Sequence, residues 1–138
     1  MSTAVETKTL RGGGADSSPQ PVVRAAVIGA TGYAGCELLT LLARHPAASV
    51  TSLMSSGRDG KKAFAIEHSH PKLRGRFSVL CEPLDVEQVV TSGSNVVFLA
   101  TPHETSHQIV PRLLECGLRV VDLSGAFRLK DSTAYAHE

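Results

Sequence analysis

Val22–Pro46 reads VVRAAVIGATGYAGCELLTLLARHP: a short apolar run, a turn punctuated by glycines, then apolar residues at helical spacing. The run Val22–Ile28 is broken only by Arg24, and it is short and β-branched enough to predict a strand buried on both faces. From Gly35 onward Leu38, Leu39, Leu41, Leu42 and Ala43 fall on one broad helical face, with Arg44 as a basic last turn and Pro46 as a stop. Between strand and helix stands Gly29-Ala30-Thr31-Gly32-Tyr33-Ala34-Gly35. In this G-x-x-G-x-x-G spacing Gly29 permits a tight turn, Gly32 lets backbone approach a pyrophosphate, and Gly35 lets the helix pack close to the strand. The free N–H groups and positive dipole end of the helix then face an anion. A glycine triplet alone is a weak signal, but strand, glycine turn and amphipathic helix in this order predict a dinucleotide-binding βα unit.

Composition bounds what surrounds that unit. The 138 residues make one domain's worth of chain, and a net charge of +1 leaves no electrostatic footprint for nucleic acid or an anionic membrane. No apolar run approaches the ~20 residues of a membrane span, and the start lacks the basic-then-apolar order of a signal peptide. Three cysteines, Cys36, Cys81 and Cys116, are an odd count without close pairing. That usage fits free thiols in a reducing compartment, so the cytoplasm is the expected location. Residues 1–21, rich in Gly, Ser, Thr and Pro, carry no apolar periodicity and read as a disordered tail, which puts the folded region at 22–138.

Further along, Ser49–Met54 reads as a second strand ending roughly 20 residues beyond the glycine turn, where an NAD site places a carboxylate for the ribose. Here stand Ser55, Ser56, Gly57 and Arg58, with Lys61 nearby. Hydroxyls and a cation suit a 2′-phosphate, so NADP is the expected cofactor. Lys62–Gly75 reads as a loop holding His68 and His70. With His103 and His107 these suggest a metal site, yet no carboxylate or cysteine motif accompanies them, and no metal is expected. Phe77–Cys81 reads as a third strand, Asp85–Thr91 as a short helix, and Asn95–Ala100 as a central parallel strand. Glu104–Cys116 is a helix with Ile109, Val110, Leu113 and Leu114 on one face, and Leu118–Leu123 is a fifth strand. Strict alternation predicts an α/β fold with a doubly wound parallel sheet, Rossmann-like. After the fifth strand, Ser124 and Gly125 allow backbone N–H groups to approach a ligand, and Arg128 can pair with the anionic group of an acidic substrate.

Four stretches carry a family resemblance: GATGYAG followed by ELL-x-LL-x-x-HP, HSHPKLRG at 68–75, VVFLATPHETS at 96–106 and VVDLSGAFRLKD at 120–131. In this order they resemble the N-acetyl-gamma-glutamyl-phosphate reductase family, NADP-dependent enzymes of arginine biosynthesis. The wider relatives are the aspartate-semialdehyde dehydrogenases and the lysine-pathway acyl-phosphate reductases. The resemblance implies cofactor contacts at Leu99, Ala100, Thr101, Pro102 and His103, an acyl phosphate as substrate, and a homo-oligomer at full length. In the family reaction a cysteine thiolate displaces phosphate, hydride reaches the thioester, and a histidine handles protons. The family's N-P-G-C-Y-type segment is missing here, so the nucleophile and a substrate domain are expected beyond Glu138, and turnover by this chain alone is not expected. Cys36, Cys81 and Cys116 read as structural thiols. Ala126 stands where the family usually has aspartate. A free-standing nucleotide-binding module without catalysis is the alternative, and it leaves the enzyme-like motifs unexplained.

Overall fold

In a computed structural model, which describes residues 23–56 and 62–128, the alternation becomes one six-stranded sheet. The strands are β1 (Val23–Ile28), β2 (Ala48–Met54), β3 (Phe64–Ala65), β4 (Leu80–Glu82), β5 (Val96–Leu99) and β6 (Arg119–Asp122). They lie in the order β3-β4-β2-β1-β5-β6, parallel throughout except for the antiparallel β3–β4 pair. The helices are α1 (Tyr33–Leu42), α2 (Val86–Thr91) and α3 (His103–Glu115).

Two apolar layers sandwich the sheet, and the strand alternation sorts residues between them. On one face Ala26 and Ile28 of β1 and Val97 and Leu99 of β5 join Val89 of α2 and Ile109, Val110 and Leu113 of α3. On the other, Val27 and Leu53 join Cys36 and Leu39 of α1, with Ile66 and Leu73 from the segment before β4. Residues 25–28 are wholly buried, as expected of a strand covered on both faces. Asp85 caps α2, its carboxylate accepting from the N–H groups of Glu87 and Gln88.

In β2 the register slips by one residue opposite Ala25 and Ala26, leaving Thr51 as a bulge. The slip puts Val50 and Leu53, three apart, on the same α1-side layer. Thr51 Oγ1 is satisfied by the Ala25 carbonyl at 3.3 Å and by Ser94 Oγ at 2.6 Å.

Several expectations are corrected. The segment 62–75 is more than a loop: it holds β3 and two 3₁₀ turns, Ile66–His68 and Pro71–Leu73, each burying one apolar side chain. The strand placed at Phe77–Cys81 is β4, Leu80–Glu82; Phe77 instead packs its ring into the α1-side layer. Helix α1 begins at Tyr33, two residues early, and has no basic residue in its last turn, because Arg44 lies beyond it. Leu41 is exposed rather than on the packed face, which is narrower and centred on Gly35, Cys36 and Leu39. Arg58 and Lys61, assigned to the 2′-phosphate, and the tail 1–21 lie outside the described residues.

Candidate functional site

The sheet order reverses between β1 and β5: the chain goes from β1 outward to β2 and β4, then returns to β5 on the other side of β1. At such a switch point the loops leaving the carboxyl ends of two neighbouring strands diverge and open a crevice, the usual ligand site of open α/β sheets. Gly29–Gly35 and Ala100–His103 leave β1 and β5 at this point.

The first turn is fixed by backbone contact. The N–H groups of Gly29 and Ala30 both donate to the Met54 carbonyl, at 2.8 and 3.0 Å, and the Ala100 N–H donates to the Ile28 carbonyl at 2.8 Å. Gly29 has φ +88°, and a Cβ there would lie 2.1 Å from the Ala100 carbonyl oxygen. A Cβ on Gly35 would lie 2.3 Å from the Gly29 oxygen. Gly32 differs: a Cβ there would meet only the Gly29 oxygen, at 3.8 Å. Packing therefore demands glycine at positions 29 and 35, whereas the space in front of Gly32 is open, as a cradle for a phosphate must be. Gly32 is the N-cap of α1, and no side chain caps that end or places an acid in its first turn. Among the described residues no capping side chain engages the N–H groups of the first turn, a helix end suited to an anion. Thr31 and Ala34 lie within this turn, and Tyr33 is 95% exposed beside it.

His70 supports the turn from outside the glycine motif, its Nε2 2.8 Å from the Ala30 carbonyl oxygen. Lys72, two residues on, pairs with Glu37 of α1 at 2.9 Å, and the hydrogen bond it donates to that carboxylate holds the ammonium above its ordinary pKa. Sequence reasoning left these contacts unassigned; the one available signal was the HSHPKLRG stretch itself.

At the end of β2, Ser55 is buried and donates its N–H to the Glu82 carbonyl at 2.9 Å, while Ser56 is half-exposed. A carboxylate that the linear reading did not place is Glu82 of β4, the register partner of Met54.

The exits of β5 and β6 are joined by side chains. Thr101 Oγ1 lies 2.7 Å from Ser106 Oγ, and Ser106 Oγ donates to Asp122 Oδ1 at 3.3 Å. The same Oδ1 accepts the Ser124 N–H at 2.9 Å, and Ser124 Oγ accepts the Ala126 N–H at 3.1 Å. Pro102 is the N-cap of α3 and His103 its first residue. His103 Nδ1 accepts the Gly125 N–H at 3.1 Å, and a Cβ on Gly125 would lie 3.0 Å from the imidazole Cε1 and 3.7 Å from the Arg128 guanidinium carbon. His103 and Arg128 therefore converge on Gly125. One expectation changes: the N–H groups of residues 124–126 are engaged within the protein, so Ser124 shapes the loop rather than offering a free donor.

His107 packs against the Phe127 ring at 4.7 Å. Among the described residues no group of three or more His, Cys, Asp and Glu side chains has metal-holding geometry, and no helix is long and apolar enough to cross a membrane.

Residues 24–137 match the family described as semialdehyde dehydrogenase, NAD binding domain. The chain belongs to this family. The N-acetyl-gamma-glutamyl-phosphate reductase of Escherichia coli (strain K12) is 43% identical over 109 residues, 79% of this chain and 33% of that protein. The enzyme of the same name from Magnetococcus marinus is 43% identical over 115 residues, 83% of this chain and 32% of that protein. The chain thus spans about a third of the length of these curated relatives. Among solved structures, aspartate semialdehyde dehydrogenase with NADP from Candida albicans superposes with a TM-score of 0.64 at 23% identity, over 79% of this chain and 31% of that one. A probable aspartate-semialdehyde dehydrogenase from Pseudomonas aeruginosa gives 0.58 at 22% identity, over 86% of this chain and 35% of that one. At these identities the likeness concerns the fold, and it is the doubly wound fold expected from the alternating pattern.

Proposed function

We propose that this chain is the NADP-binding part of an N-acetyl-gamma-glutamyl-phosphate reductase, which reduces an acyl phosphate to the semialdehyde with release of phosphate. The observation that carries the binding half of the reading is the contrast within the glycine turn: positions 29 and 35 are packed against backbone, while position 32 opens onto an uncapped helix end. The identity of 43% to two reductases of that name supports the choice of reaction.

The chain's own residues divide the work of binding. The N–H groups of Tyr33, Ala34 and Gly35 hold the pyrophosphate, while the Gly32 N–H is engaged by the Gly29 carbonyl and His70 holds the Ala30 carbonyl. Ser55 and Ser56 at the end of β2, with Arg58 from the sequence that follows, receive the 2′-phosphate through hydroxyls and a cation. Ala100–His103 line the opposite wall of the crevice, Leu99 being buried in the core rather than at the wall, and Arg128, beside His103, faces the anionic substrate. NADPH, when bound, supplies hydride to the acyl carbon. Cys36 and Cys81 are buried and Cys116 caps the end of α3, so none of the three stands as a nucleophile at the crevice.

Calorimetric titration of the purified chain with NADP+ and with NAD+ tests the reading. Saturable binding is expected for NADP+, at least about fivefold tighter than for NAD+, the discrimination that one partly solvated phosphate contact of ~1 kcal/mol gives. Equal affinity for the two would remove the assignment of Ser55, Ser56 and Arg58, and absence of binding to both would overturn the nucleotide site itself.

A further inference from the structure

The polar chain behind β5 and β6 has a task that the nucleotide reading, on which this inference rests, does not supply. We infer that Asp122 and Ser106 are positioning residues that lock the turns leaving β5 and β6 into one unit, and thereby fix His103 as an Nε2–H donor toward the crevice.

A backbone N–H can only donate, so the Gly125 N–H bonded to His103 Nδ1 requires that nitrogen to be unprotonated. The ring proton of the neutral imidazole then resides on Nε2, which makes the free edge of the ring a hydrogen-bond donor. The tautomer is set by where Gly125 sits. Gly125 follows Ser124, whose N–H is held by Asp122 Oδ1, and it precedes Ala126, whose N–H is held by Ser124 Oγ. Asp122 Oδ1 is reached in turn by Ser106 Oγ from within α3, the helix that carries His103 on its first turn. Thr101, on the turn leaving β5, closes the chain onto Ser106.

Ser106 is wholly buried and Thr101 nearly so. A buried hydroxyl pair and carboxylate are costly unless each finds partners, so this cluster calls for a purpose beyond filling space. Asp122 Oδ2 is buried without a hydrogen-bond partner among the described residues. A carboxylate kept there with one oxygen unsatisfied does for Ser106 and Ser124 together, through Oδ1 alone, what no apolar residue of that size does. Gly125 fits the same account, because a Cβ at that position would crowd the imidazole at 3.0 Å.

Long-range 1H–15N correlation spectra of the ligand-free chain report the His103 tautomer directly, and NADP+ titration of the same samples reports its consequence. The wild-type chain should show one Nε2–H tautomer. D122A and S106A should show mixed tautomers and bind NADP+ about tenfold more weakly, equivalent to ~1.4 kcal/mol; D122N, which retains an acceptor oxygen, should keep the wild-type spectrum. A folded D122A or S106A with an unchanged tautomer and unchanged affinity overturns the inference; should D122A fail to fold, S106A decides in the same two measurements. Wild-type chain that shows the Nε2–H tautomer but does not bind NADP+ contradicts the nucleotide reading while leaving the positioning network standing.

Discussion

The two turns that meet at the switch point are built by opposite means. The β1–α1 turn is specified by missing side chains: Gly29 and Gly35 let backbone touch backbone, at separations no Cβ could share. The β5 and β6 exits are specified by added side chains, with Thr101, Ser106, Asp122 and Ser124 supplying hydrogen bonds that the backbone could not make alone. Each forms one wall of the same crevice. A steric turn should break abruptly when an atom is added, whereas a hydrogen-bonded turn should loosen by degrees when one is removed.

The largest effect is expected at Gly29. A Cβ there meets a carbonyl oxygen at 2.1 Å on a backbone of φ +88°, so Gly29→Ala should cost roughly 3 kcal/mol or more in urea unfolding and abolish NADP+ binding. Gly35→Ala has no positive φ to violate but overpacks α1 against the turn, and should cost about 2–3 kcal/mol in the same assay. Ser106→Ala, from the other wall, should cost about 1–2 kcal/mol, the value of a buried hydrogen-bonded hydroxyl. A Ser106→Ala loss as large as that of Gly29→Ala would erase the contrast between the two walls.

These residues differ in how plainly the sequence displays them. The glycine turn is legible because its determinants lie within seven consecutive residues and because a strand and a helix flank them. The same holds for the sheet: β1, β2, β5 and β6 are apolar runs whose ends were placed to within a residue or two. β3 escaped because two residues of antiparallel strand carry no periodicity, β4 was placed three residues early, and the Thr51 bulge escaped because register belongs to a pair of strands rather than to one. The Thr101–Ser106–Asp122 network escaped for a related reason. Ser106 and Asp122 are 16 residues apart and meet only once α3 has packed on β6. His70 is separated from Ala30 by 40 residues, so its role became visible only with the fold.

Smaller effects sharpen the comparison further. Gly32→Ala should change stability by less than about 1 kcal/mol, because a Cβ there meets nothing closer than 3.8 Å, yet it should weaken NADP+ binding about tenfold or more. Loss of stability without loss of affinity would show that Gly32 serves the turn and not the ligand. The smallest effect belongs to the exposed Lys72–Glu37 pair. Since Glu37 raises the Lys72 pKa above its ordinary 10.5, the pair's contribution is complete below pH 10.5 and is lost as pH rises through the raised value. Stability curves of the wild type and Lys72→Ala should therefore run parallel at neutral pH and converge in alkali; a gap that persists there would assign the effect to packing.

The central claim is that the uncapped end of α1, opened by Gly32, binds the pyrophosphate of NADP at the switch point of the sheet. Its most direct test is amide 1H–15N NMR of the labelled chain titrated with NADP+. Saturable shifts at Gly32, Tyr33 and Ala34, with a second set at Thr101 and His103 across the crevice, are the predicted result. Shifts confined to other parts of the surface, or none at saturating NADP+, would contradict it.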